Sequence, residues 1–353
     1  MKTCIVSGAL ANKPHNGGEA WVRLSWARGM QRLGWNVVFV EQLNDPTPGA
    51  IDYFRAVTRS FELPSCLLGI DPAPDSADLL INISGHLPPT SPLFESIRRT
   101  VYIDIDPGYT QMWHAQGALD VSGHDHYYTI AANFGSPGCA IPMGELNWRT
   151  ILQPVVLDDW PLHPPPAQFK FTTVAAWRGS FGTVVHEGKT YGQKAHEFRK
   201  MIDLPRRSPY MFEIALQIYP GDHKDRAALE SSGWHLVEPR AVADMPQDFR
   251  NYVQQSSAEF SVAQGIYVET KSGWFSDRSI RYLASGRPVL VQSTGDLGVP
   301  TGEGIVQFDD VETAIAGADR IVNDYNTQSR AARDLAEKHF DSDRILAKLL
   351  SEL

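Results

Sequence analysis

Apolar residues near the start of the chain fall into three blocks of different period. Residues 3–6 open a short apolar run, Val22, Trp26, Met30 and Leu33 recur every three or four positions, and residues 36–41 (NVVFVE) form a second run rich in β-branched residues. A short continuous run is a buried strand, and recurrence near 3.6 is one face of a helix. Gly34 supplies the helix stop. Strand, helix and strand in about 40 residues make a parallel crossover.

Further buried strands are predicted at 78–83, 100–105 and 126–130, each ending in polar or glycine residues: Ser84-Gly85-His86, Asp106-Pro107-Gly108 and Ala131-Ala132-Asn133. In open parallel sheets the ligand crevice lies beyond the carboxyl ends of the strands, so these endings are expected to form a pocket rim. Residues 153–168 carry five prolines and mark a domain boundary and hinge. A second alternating series follows: strands at 171–177, 212–218, 234–237, 258–262 and 288–291, helices at 192–202 and from 276, and a nearly continuous helical tail over 311–353 with breaks near Asn326 and at Asp341-Ser342. The predicted fold is α/β, two Rossmann-like doubly wound domains facing a cleft. Residues 1–160 form the first domain, 161–335 the second, and 336–353 a helix returning to the first.

The segment 265–298, GIYVETKSGWFSDRSIRYLASGRPVLVQSTGDLG, has the layout of an anion site. A loop rich in glycine and serine leads to a helix start at Ser276-Asp277, where unpaired N–H groups and a partial positive charge favour phosphate. Arg278 in its first turn adds a permanent cation with a fork of donors. Ser272, Gly273, Trp274, Ser276 and Asp277 are the neighbouring donor-binding candidates, with Trp274 placed to stack on a base or sugar. Ser293, Thr294 and Gly295 offer hydroxyl and N–H groups after the next strand. In the first domain, Gly17 and Gly18 let a loop approach a ligand closely.

Composition narrows the function. The 353 residues are 42% hydrophobic and 21% charged, normal for a globular protein. A net charge of -9 argues against a general nucleic-acid binder, so an anionic ligand needs a local cationic site. Three cysteines, Cys4, Cys66 and Cys139, match no disulfide or metal framework and fit a reducing cytoplasm. The N-terminus imitates a signal peptide only weakly, and no run reaches the roughly 20 apolar residues of a membrane span. Residues 182–190 (GTVVHEGKT) have five residues between glycines where a P-loop has four, and the first loop lacks GxGxxG; these exclude an NTPase and a dinucleotide dehydrogenase. His124 and His126 share a side of a strand, but with no further ligand in the pattern no metal is expected.

The segment DRSIRYLASGRPVLVQSTG resembles the donor-site motif of nucleotide-sugar glycosyltransferases with two Rossmann-like domains (the GT-B type), closest to the CgeB-like branch. HNGGEAWVRLSWARGMQRLGWNVVFVEQL is similar to the Gly-Gly loop, long helix and strand that open the same superfamily. The resemblance implies transfer of a sugar from a UDP-, GDP- or dTDP-linked donor to a small-molecule or lipid-like acceptor, with no cofactor. It implies that a cationic pair after the first strand of the second domain grips the diphosphate, a role for Arg178 and Lys189, with Lys194 as the alternative. It also implies a ribose-binding Glu where this chain has Arg281; Glu269 and Asp277 are the local substitutes. An acceptor hydroxyl needs a base, and His86, Asp106 and His15 are the catalytic candidates. Other readings are a nucleotide-sugar epimerase or hydrolase on the same scaffold, and a sugar- or nucleotide-binding protein without chemistry.

Overall fold

The computed structural model describes residues 2–179 and 181–353. Each half is one parallel sheet flanked by helices. In the first, β1 (Thr3–Ser7), β2 (Asn36–Gln42), β3 (Ser65–Leu68), β4 (Leu79–Ile83), β5 (Thr100–Asp104), β6 (His126–Thr129) and β7 (Trp148–Thr150) stand in the order β3-β2-β1-β4-β5-β6-β7. In the second, β8 (Lys170–Ala176), β11 (Met211–Gln217), β12 (His235–Val237), β13 (Ala258–Ser261), β14 (Val289–Gln292) and β15 (Ile305–Phe308) stand in the order β12-β11-β8-β13-β14-β15. Both are doubly wound with a switch point beside their first strand. The predicted strands are present within one or two residues of their expected bounds. The periodicity did not predict the helix Pro48–Ser60 or the strands β3, β7 and β15.

The P-loop-like stretch is a β-hairpin, β9 (Val184–His186) paired antiparallel with β10 (Lys189–Tyr191). Its two-residue turn, Glu187-Gly188, has φ of 49° and 76°, the left-handed geometry that tight hairpins demand. The Pro-rich connector is bound to both halves. Arg28 grips Asp159 through two 2.7 Å bonds, Trp160 packs on Trp21 at 4.9 Å, and Arg287 donates to the carbonyls of His163 and Pro164. The tail breaks at Asp324 and Asp341, and its last helix, Ser342–Glu352, packs on the helix Gly17–Arg32 of the first half; the Cβ that Gly29 lacks would lie 2.5 Å from Leu346 Cδ1. Among the described residues no helix is long and apolar enough to cross a membrane.

Candidate functional site

A cleft of about 510 Å³ opens between the carboxyl ends of the two sheets. The first half contributes the loop Lys13–Asn16, the start of the helix Gly17–Arg32, and Asp106 beyond β5. The second contributes the end of β8, Gln217 at the end of β11, Glu238 and Arg240 after β12, Lys194, Gln264, Tyr267, and the run Trp274–Arg278.

The loop on the first wall is shaped by a buried carboxylate. Glu41, at the end of β2, accepts from the backbone N–H groups of Leu10, Ala11 and Asn12, each at 2.8 Å, and from the Asn12 side chain. These bonds fix the chain just before Lys13. Glu19 then pairs with Lys13 and with the buried Arg23, and the two cations hold its carboxyl well below the usual range despite burial.

Of the three candidate bases, Asp106 lines the cleft with a carboxylate suited to the work. Burial, with Glu19 and Asp104 nearby, raises its pKa to about 6, against the opposing pull of Lys13 and of a hydrogen bond from the Tyr267 hydroxyl. His15 also lines the cleft, but its Nδ1 lies 3.0 Å from Asp244 of the second half, so the ring serves as a bridge. His86 is not among the lining residues. Burial beside Arg23 and Lys13 drives its pKa down to about 3, leaving a neutral ring of low basicity. Asp104 is structural: Thr110, Gln111, Thr129 and the Asp106 N–H all donate to it.

The cationic candidates separate sharply. Arg178 is outside the lining, where Asp222 takes its guanidinium in a fork, with Nε at 2.9 Å. Lys189 sits on the exposed hairpin, 3.2 Å from Glu269. Both have carboxylate partners because strand ends and hairpins present long side chains to whatever charge is adjacent, which sequence order does not reveal. Lys194, the alternative to those two, does line the cleft. It is 9% exposed, and its ammonium has no ion pair or hydrogen bond among the described residues. Burial, then Arg278, draws its pKa down to about 7. The residue is held by its backbone N–H, which donates to Gln264 at 2.6 Å.

Arg278 lines the cleft floor, with three of its five N–H donors engaged by the protein. Nε pairs with the buried Glu259, Nη1 donates to Val174 O at 3.0 Å and Nη2 to Ser261 Oγ at 2.7 Å. Ser276 caps the helix Asp277–Ala284, and Trp274 and Asp277 also face the cavity. Glu269, the other ribose candidate, is spent on Lys189 and the Gly192 N–H.

Most of the remaining glycine and hydroxyl candidates lie where the two halves meet. Ser272 O accepts from Asn133 N, and Gly273, at φ 71°, would place a Cβ 2.4 Å from Asp296 O. Thr294 Oγ1 donates to Trp274 O at 2.7 Å, Gly295 lies against Asn133, and Ser293 donates its N–H to Phe308 O at 2.8 Å; none of the three is in the cavity lining. A Cβ on Gly17 would meet Met245 O at 2.3 Å and one on Gly18 the Phe249 ring at 3.1 Å. Close approach is indeed needed there, but the partner of Gly17 is the other half of the protein; Gly18 also borders the cleft.

Lys13, Glu19, Gln153, Gln217, Glu238, Arg240, Gln264 and Tyr267 line the cleft without having been singled out. For Gln217 and Glu238 a signal existed, since each directly ends or follows a strand of the second sheet. His124 belongs to an aromatic cluster: Asn82 Nδ2 donates to its Nε2 at 3.0 Å, and Tyr102 stands edge-on at 5.2 Å.

No family model matches the sequence, and no curated protein matches it. Among solved structures, the chain is similar to an α-glucosyltransferase solved with UDP and a 13-mer DNA (TM-score 0.66, 11% identity, covering 99% of this chain and 98% of that one). It is also similar to HepE of Anabaena solved with UDP and glucose (TM-score 0.63, 11% identity, all of both chains). A third is sucrose-phosphate synthase of Thermosynechococcus elongatus (TM-score 0.59, 11% identity, 100% and 98% coverage). At these identities the likeness shows the fold: two Rossmann-like halves of the GT-B type, end to end.

Proposed function

We propose that the protein is a glycosyltransferase that takes a sugar from a nucleoside-diphosphate donor, with a UDP-sugar as the first donor to test. The observation that carries this reading is Lys194, a largely buried lysine whose ammonium has no ion pair or hydrogen bond among the described residues, lining a cleft on a scaffold shared with UDP-binding transferases. Breaking a glycosyl–phosphate bond leaves charge on the departing diphosphate, and a cation already desolvated in place stabilises that charge without reorganising. Residues 161–335 would hold the donor, with the diphosphate on Lys194 and the Ser276 cap, the sugar near Trp274, and the nucleoside toward Gln217, Glu238 and Arg240. Asp277 is the carboxylate placed for the ribose, given that Arg281 is turned inward.

Residues 1–160 would hold the acceptor, with the tail 336–353 tying the halves together. Asp106 would accept the proton of the attacking hydroxyl, as its pKa near 6 suits a base working at neutral pH. The first wall presents Lys13, Asn16, Glu19, Asp106 and Gln153, a lining that favours a hydroxyl-bearing small molecule over a lipid chain. The Asp277–Gly295 segment supports placement near the CgeB-like branch, and three cysteines without a disulfide spacing support a cytoplasmic protein. The test is a screen of UDP-, GDP- and dTDP-sugars with sugar acceptors, read by nucleotide release and product mass. Transfer is expected with a UDP-sugar; conversion of the donor without any acceptor would favour an epimerase or hydrolase instead.

A further inference from the structure

Tyr267 belongs to the second half, on the short helix Gly265–Glu269, yet its hydroxyl donates across the cleft to Asp106 Oδ1 at 3.0 Å. The ring is 3% exposed and packed between two others: Trp274 stacks on it at 4.5 Å and 26°, and Tyr109 of the first half forms a T-shaped pair with it at 6.1 Å. The backbone of Asp106 is equally fixed. Its N–H donates to Asp104 Oδ1 at 3.0 Å, and its carbonyl accepts from Thr110 N at 3.3 Å. Among the described residues the Asp106 carboxylate accepts only the bond from Tyr267, so Oδ2 is left to the cleft.

From this geometry we infer that Tyr267 is a positioning residue that occupies one oxygen of Asp106, aims the other at the acceptor hydroxyl, and makes the base competent only when the two halves are closed. The inference rests on Asp106 being the base. The phenol and the carboxylate come from opposite walls, so a separation of the halves that lengthened their 3.0 Å contact would release the carboxylate and let it turn. A bond to the ionised form favours that form, so the phenol also keeps Asp106 ionised against its burial. The charged and titratable groups around the carboxylate are Lys13 and Glu19 on the first wall, Asp104 beneath it, and Tyr102, Tyr109 and Tyr267 packed about it. Lys13 pulls in the same direction as the phenol; Glu19 and Asp104 oppose it.

Tyr267→Phe keeps the packed ring and removes only the hydroxyl. The full-length variant is expected to lower kcat by about tenfold, a part of what a general base supplies. Its acid limb of kcat/KM should move to higher pH, with UDP affinity unchanged. A purely packing role for Tyr267 would leave the acid limb where it is in the wild type, and that result overturns the inference. Asp106→Asn separates the two levels. If it keeps wild-type turnover, Asp106 is not the base and both readings fall; if it is inactive while Tyr267→Phe retains the wild-type profile, only the positioning role falls.

Discussion

Arg281 reaches from the second half to the first, where its Nη2 donates to the Ser25 hydroxyl at 3.1 Å. Its guanidinium is 1% exposed, with Nη1 bonded to the Asp277 carbonyl, so the helix Asp277–Ala284 is pinned to the helix Gly17–Arg32. A residue that stands where ribose contact was expected is thus part of the joint between the halves. Arg281→Ala should lose these bonds and leave a cavity, costing about 2–4 kcal/mol of stability. Chemical denaturation measures that loss, while UDP affinity should change less than about threefold.

Arg278 has a different duty from the one its place in the helix implies. Glu259 is fully buried, and Arg278 is its cation. Removing one partner of a buried pair strands the other, at about 3–5 kcal/mol. Arg278→Ala is expected to show that loss in a denaturant titration, and adding Glu259→Gln should return a part of it. A variant of unaltered stability but abolished nucleotide binding would assign Arg278 to the ligand instead.

Gly17 can be tested at the joint as well. An added methyl would sit 2.3 Å from the Met245 carbonyl, a backbone atom with little freedom to yield. Gly17→Ala should cost about 1–3 kcal/mol through overpacking. Small-angle scattering is expected to show the halves further apart than in the wild type.

The pH profile of kcat/KM should be narrow. Asp106 must be ionised, so activity falls as pH drops through about 6; Lys194 must be protonated, so it falls again as pH rises through about 7. A bound diphosphate favours the ammonium, so the alkaline limb of kcat should lie at higher pH than that of kcat/KM. Steady-state kinetics over pH 5–9 with the donor saturating and then limiting separates the two limbs.

Strands and crossovers were readable because they depend on local period: NVVFVE and the Val22–Trp26–Met30 stripe specify their elements almost alone. Cleft-lining residues were readable where chemistry and local structure coincide, as at Asp106 beyond β5 and at Ser276-Asp277 where a helix starts. Arg178, Lys189 and Arg278 each looked like a ligand cation, but Asp222, Glu269 and Glu259 lie 44, 80 and 19 positions away in the chain and claim them. Tyr267 and Lys13 carried no pattern at all, since their importance arises from standing near Asp106 in the folded chain, Tyr267 from the opposite wall and Lys13 from the same one. The glycine pair was read as close approach to a ligand, whereas the atoms an added Cβ would meet are those of Met245 and Phe249 in the other half.

The most direct measurement is calorimetric titration of UDP into the wild-type protein and into Lys194→Met, at pH 7.5 in two buffers of different ionisation enthalpy. Binding with proton uptake is predicted for the wild type, because the diphosphate re-protonates a lysine poised near 7. Lys194→Met should lose both the uptake and at least about tenfold in affinity. Absence of UDP binding to the wild type, or equal affinity in the variant, would contradict the account.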